Sequence, residues 1–188
     1  MDGSMNSMIV RSSKFLSLVL RHKPETIGLK LDHEGWADVA DLIEAANSAG
    51  NRLDWELLVQ VVHENDKQRF TFSDDGKRIR ANQGHSIDVD LGLTPLKPPP
   101  LLYHGTVAKF LPSIEQQGLL PQNRQFVHLS ADISTARIVG ARRGKPIILV
   151  VASGQMQADK LEFFRSKNGV WLTASVPPQY LSKSDELV

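Results

Sequence analysis

Leu101-Leu102-Tyr103-His104-Gly105-Thr106 decides the fold reading, because an apolar run leads straight into a polar triplet. That pattern predicts a buried strand delivering His-Gly-Thr to its end. There Gly105 would let a ligand approach the backbone, while His104 and Thr106 offer hydrogen bonds to ribose hydroxyls. Downstream, Val127-His128-Leu129-Ser130 repeats the theme, with His128 and Ser130 closing a short β-prone segment. Asn168-Gly169 then marks a turn into the strand Val170-Trp171-Leu172-Thr173. Any one of these pieces alone is as compatible with turn chemistry as with a cofactor site.

The segments between them fill in a small β-rich region. After Thr106, a short helix through Phe110, Leu111 and Ile114 stops at Gly118. Ser130 reads as the cap of a helix carrying Ile133, Ala136 and Ile138, ending near Gly140. Ala141-Arg142-Arg143-Gly144-Lys145 follows as a basic loop. It is either a surface loop whose cations favour a helix C-terminus or the source of one arginine for a phosphate site. Pro146 introduces Ile147-Ile148-Leu149-Val150-Val151, an apolar strand expected to be buried on both faces, and another strand is expected around residues 161–164.

At 188 residues the chain can form one or two domains, and 41% apolar with 23% charged residues suits a soluble globular protein. The absence of cysteine excludes a disulfide framework and a thiolate metal site. Met1-Asp2-Gly3-Ser4-Met5-Asn6 carries an early acid and no apolar region, against a secretory signal. No apolar run approaches the ~18 residues of a membrane span. Asp185-Glu186-Leu187-Val188 fails as an ER-retention signal because of its last residue. A cytoplasmic protein is expected. Residues 1–87 carry 11 Lys and Arg against 13 Asp and Glu, and residues 88–188 carry 11 against 8. Neither half has the basic excess of a non-specific nucleic-acid binder, so an RNA partner would need a few placed arginines.

Helical periodicity dominates the first half. Ser12-Ser13 offers N-caps for a helix whose apolar stripe is Phe15, Leu16, Val19 and Leu20, closed by Pro24. Lys14, Ser17 and Arg21 share another stripe with His22 one step round, which alone reads as a solvated face. Asp38 is the expected cap of a second helix packing Val39, Leu42, Ile43 and Ala46. Asp54 caps a third, packing Leu57, Leu58, Val61 and Val62. Period-two alternation through residues 69–73 and 78–81 around Asp75-Gly76 then predicts a hairpin. A two-residue loop pairs Phe72 with Ile79 and Phe70 with Ala81 on the packed face. Arg69, Arg78 and Arg80 fall on the other face with only the turn acids Asp74 and Asp75 expected nearby, an arrangement suited to a phosphate guest. Ala81-Asn82-Gln83-Gly84-His85-Ser86 is a glycine-bearing polar loop, and the proline-rich stretch to Pro100 reads as a semi-rigid linker.

Ser13-Lys14-Phe15-Leu16-Ser17-Leu18-Val19-Leu20-Arg21-His22, Glu34-Gly35-Trp36, Lys67-Gln68-Arg69-Phe70 and Ile79-Arg80-Ala81-Asn82-Gln83-Gly84-His85-Ser86, together with the later blocks, resemble the RNA (tRNA) 2′-phosphotransferase family in order, from about Ser12 to Leu181. The resemblance implies an α+β protein: a winged-helix RNA-phosphate-binding lobe over 1–90, a proline-rich linker over 91–100, and an ADP-ribosyltransferase-like (PARP-like), NAD-binding, β-rich lobe over 101–188. It implies Arg21, His22, Arg69 and Arg142 as catalytic residues, with Arg143 the weaker alternative to Arg142 because many relatives carry histidine there. His104, Gly105, Thr106, His128, Ser130 and Val170 would hold NAD⁺, and Arg80, Gln83, His85 and Arg143 would contact RNA. Val170 stands where many protein-modifying relatives of the fold present a glutamate. A phosphate acceptor is already a nucleophile and needs cations rather than a base.

The implied reaction has two steps. The RNA 2′-phosphate attacks the nicotinamide ribose C1 of NAD⁺ and expels nicotinamide. The neighbouring ribose hydroxyl then attacks phosphorus, releasing 2′-OH RNA and ADP-ribose 1″,2″-cyclic phosphate. The expected partners are a tRNA-like RNA with a 2′-phosphate, as in tRNA splicing or RNA repair, and NAD⁺. No metal, no membrane and a monomeric state are expected, with cations of both lobes converging on one anion. Two alternatives stand beside this: an ADP-ribosyltransferase that leaves its group on a nucleic-acid phosphate, and a non-catalytic winged-helix binder.

Overall fold

The computed structural model describes residues 2–64 and 67–184, with side chains described from residue 6 onward. Met1 and residues 185–188, on which the leader and retention readings partly rest, lie outside the described residues. The chain divides into two compact units, Met1–Gly92 and Leu93–Val188. The fold is mixed helix and sheet, compatible with α+β, with three small three-stranded sheets whose pairings are all antiparallel.

Three helices build the first unit: α1 (Asp2–Arg21), α2 (Val39–Ser48) and α3 (Trp55–His63). The expected stripe of α1 is its buried face, with Leu16, Val19 and Leu20 fully enclosed. Burying each such side chain stabilises the fold by about 1.5–3 kcal/mol. Its start is a correction. Ser12 and Ser13 lie inside the helix, which runs ten residues further toward the N-terminus and packs Ile9 against the core. Asp38 and Asp54 cap α2 and α3 as expected, accepting from Ala40 N at 2.8 Å and Leu57 N at 2.8 Å.

The hairpin register also holds. Strand β2 (Phe70–Phe72) pairs with β3 (Arg78–Ala81), setting Phe72 against Ile79 and Phe70 against Ala81. A short strand β1 (Ala37–Asp38), which periodicity does not foretell, adds to the other edge of β3. Val89 and Leu91 are buried, and Asp90 N donates to His33 O, so this end of the proline-rich stretch is pinned to the first unit.

In the second unit, strand β4 (Leu102–Val107) pairs along its length with β6 (Pro146–Val151), which also pairs with β9 (Leu181–Lys183). The other sheet sets β8 (Trp171–Thr173) between β5 (Val127–Leu129) and β7 (Phe164–Arg165). Tyr103 and Ser130 exchange backbone hydrogen bonds of 2.9 and 2.8 Å, joining the two sheets where β4 and β5 meet. Helices α4 (Leu111–Gln117), α5 (Ile133–Ala141) and α6 (Ser153–Ala158) complete the unit. Asp132, not Ser130, caps α5, accepting from Thr135 N at 2.7 Å. The Ser130 main chain pairs with Tyr103, which holds the residue in the sheet junction two positions before the cap. Ile138 points to solvent, and in β6 Ile148, Leu149 and Val151 are buried while Ile147 and Val150 are only partly so, against the expectation of burial on both faces. Residues 96–100 are tied into this unit: Leu96 N donates to Phe163 O, and Ser153 Oγ to Pro99 O at 2.7 Å.

Gly105 has a packing role that the strand pattern conceals. A Cβ there would stand 1.9 Å from Ala136 O and 2.8 Å from Gly140 N. Helix α5 therefore lies backbone against backbone on β4, and glycine is required at that contact. On the side where a Cβ would stand, the close approach at Gly105 is made by α5.

Candidate active site

Each unit gathers its own cluster of basic side chains. In the first, α1 ends at Arg21 and presents His22 immediately after it. Arg21 is buried, its guanidinium 5.8 Å from the Phe70 ring and its Nη2 3.5 Å from Arg69 O. His22 Nδ1 lies 2.9 Å from Ser86 Oγ. Arg21 thus joins the C-terminal end of α1, which His22 follows, to Arg69 just before β2. Arg69 also lines a cleft of about 510 Å³ along α1, with Lys14, Ser13, Ser17 and Lys67 among its walls. Two residues of the stripe that alone reads as a solvated face, Lys14 and Ser17, line this cleft.

The hairpin arginines differ from the expectation of an unmatched trio. Arg78 pairs with Asp32 at 3.3 Å and lies 5.3 Å from the Trp36 ring. Arg80 stacks 4.4 Å over that ring and donates to Glu34 O at 3.2 Å. Asp32 and Trp36 come from the loop before β1, so their approach is long-range and the hairpin pattern cannot foretell it. Gln83 is half-buried. His85 is buried, with neither ring nitrogen hydrogen-bonded among the described residues. Burial, then Arg21, His22 and Arg80, pushes its pKa down to about 4, so it is neutral at pH 7.

In the second unit the sheet junction brings His104 to His128. His104 Nδ1 sits 3.1 Å from the His128 carbonyl, and His128 Nδ1 is 3.5 Å from the Arg124 guanidinium. Burial, reinforced by Arg143, pushes the His104 pKa below the ordinary histidine value against the pull of that carbonyl. Thr106 is buried on the same strand, Ser130 lies at the junction, and Val170 is pinned to Ser166 just before β8. Arg142 and Arg143 are exposed after α5, with Arg143 5.7 Å from the Phe110 ring.

Arg124 is the residue that sequence reasoning missed. Local desolvation, then Arg143 and Arg142, lowers its guanidinium pKa. Three arginines therefore share one field, and among the described residues none of them reaches a carboxylate. The only linear signal is its place four residues before His128. Among the described residues, no group of three or more His, Asp or Glu could hold a metal ion, and no helix is long and apolar enough to cross a membrane.

The profile of the RNA 2′-phosphotransferase, Tpt1 / KptA family matches residues 7–175. The chain belongs to that family. It is 58% identical over 177 residues to a protein of Agrobacterium fabrum, covering 94% of this chain and 95% of the relative. A protein of Flavobacterium johnsoniae is 58% identical over 178 residues, with 94% and 98% covered. One from Escherichia coli is 53% identical over 171 residues, with 90% and 93% covered. All three carry the name "Probable RNA 2′-phosphotransferase". Membership identifies the chain as a transferase whose substrate is RNA.

Proposed function

We propose that the protein removes an internal 2′-phosphate from RNA in an NAD⁺-dependent reaction, leaving a 2′-OH and releasing nicotinamide and ADP-ribose 1″,2″-cyclic phosphate. The observation that carries this reading is the contact of Arg21 with the backbone of Arg69, with His22 next to Arg21 in sequence, in a chain of this family. The first unit, read as a winged helix, grips the RNA 2′-phosphate. Arg69 neutralises its oxygens, and Arg21 and His22 orient it. His22 also supplies a proton to the leaving RNA oxygen. Arg80 and Gln83 steady the strand, with His85 supporting them from beneath.

The second unit, read as an ADP-ribosyltransferase-like lobe, suits NAD⁺ through its donor set. Thr106, Ser130 and His104 match ribose hydroxyls, with Gly105 between two of them on the strand, while Val170 forms an apolar wall. Arg124 and Arg143 match the pyrophosphate, because like charges in one field gain from an anion between them. When bound, NAD⁺ supplies an electrophilic ribose carbon with nicotinamide as leaving group, and the 2′-phosphate becomes ADP-ribosylated before it is transferred. Arg142 stabilises charge on the phosphoryl oxygens, a contribution of roughly three orders of magnitude in comparable transfers.

Incubation with a 2′-phosphorylated oligonucleotide and NAD⁺ tests the reading. Cyclic phosphate and 2′-OH RNA are the expected products. A stable ADP-ribosylated RNA would instead indicate a transferase that stops after the first step. No nicotinamide release would indicate a binding protein.

A further inference from the structure

The loop over residues 82–86 touches Arg69, Arg21 and His22. At its start, Asn82 N donates to Arg69 O at 2.9 Å, and Asn82 Nδ2 bonds Gln68 O at 2.5 Å. This holds the residues before β2, where Gln68 takes a positive φ of 40°. In the middle, Gly84 lies against the Arg21 guanidinium, and a Cβ there would stand 3.6 Å from Nη1. At its end, Ser86 bonds twice. Its backbone N–H donates to Arg21 O at 2.9 Å, and its hydroxyl meets His22 Nδ1 at 2.9 Å.

We infer that Ser86 is a positioning residue, which holds the His22 imidazole in one rotamer through Nδ1 so that the ring meets the RNA phosphate in a fixed orientation. The inference rests on the catalytic role proposed above for His22. The backbone bond fixes the serine relative to the end of α1, so its hydroxyl is placed before any substrate arrives. A hydroxyl can accept from the imidazolium and donate to a neutral Nδ1, so it can serve both protonation states of the ring. A hydrogen bond to Nδ1 from a serine fixed to the same helix end narrows the rotamers open to a half-exposed histidine. The gain from Ser86 is therefore expected in turnover rather than in substrate affinity.

A double-mutant cycle on the full chain, assayed with a 2′-phosphorylated oligonucleotide and NAD⁺, separates positioning from structural support. Ser86→Ala is expected to lower kcat about tenfold with KM for both substrates within about twofold, the scale of one lost hydrogen bond. Ser86→Thr is expected to restore most of the loss. In a His22→Ala background, Ser86→Ala is expected to add nothing. A further loss in that background, or parental kcat in the single variant, would overturn the inference while leaving His22 its role. Full turnover by His22→Ala would remove the catalytic reading itself, and the positioning role with it.

Discussion

The two units hold their cations in opposite ways. In the first, the protein supplies the partners. Arg78 has Asp32, Arg80 has the Trp36 ring and a carbonyl, and Arg21 lies near Phe70. In the second, Arg124 lies in the field of Arg143 and Arg142, with no carboxylate paired to any of them among the described residues, on a frame where helix and strand touch backbone to backbone. A cation already matched by its host holds position and gains little from a ligand. A cation crowded by its own kind gains much from one. The first arrangement favours geometry, the second affinity for an anion.

Breaking the frame of the second unit should have the largest effect. Gly105→Ala forces a methyl group into Ala136 O and Gly140 N, backbone atoms that no rotamer change can move. A loss of about 3 kcal/mol or more is expected in denaturant unfolding. A loss under about 1 kcal/mol would mean that α5 does not sit on β4 as described.

Acid should expose a weakness in each unit, through His85 in the first and His104 in the second. His85 is pushed down to about 4 in the folded chain against an ordinary 6.5, mainly by burial. The unfolded chain therefore takes up the proton first. Stability is full above about pH 6.5, falls as pH drops toward about 4, and levels off below. The loss from this group approaches about 3 kcal/mol. His85→Gln should flatten that part of the unfolding profile measured against pH, and an unchanged profile would contradict the assignment.

Two arginine substitutions sharpen the contrast directly. Arg124→Ala should weaken NAD⁺ binding about tenfold by calorimetry while leaving RNA binding little changed, the scale of one charge-assisted hydrogen bond. Arg78→Ala, which removes a half-exposed ion pair, should cost about 1 kcal/mol or less in stability and leave turnover near the parental value. A reversal of these two outcomes would contradict the division between host-matched and ligand-seeking cations.

Local chemistry was legible in the sequence. Asp38 and Asp54 announce their helices because a cap acts within three residues, and Asp75-Gly76 sets the hairpin register because a tight turn leaves one pairing that buries both Phe70 and Ile79. Long-range contacts were not. Gly105 is explained by a helix about 30 residues later, and Arg124 gains its meaning from Arg142 and Arg143. Ser130 and Asp132 both suit a cap, and the sheet junction that engages Ser130 decides between them. Of the candidate site, Arg21, His22 and Arg69 were readable from resemblance, whereas the partners that immobilise Arg78 and Arg80 were not.

The division of labour, with RNA phosphate gripped by the first unit and NAD⁺ held by the second, is tested most directly by Arg69→Ala with NAD⁺ affinity and turnover measured side by side. The expected result is NAD⁺ affinity near the parental value and turnover reduced roughly a hundredfold or more, as for loss of a preorganised group acting on developing charge. A selective loss of NAD⁺ binding with turnover otherwise intact at saturating NAD⁺ would contradict it.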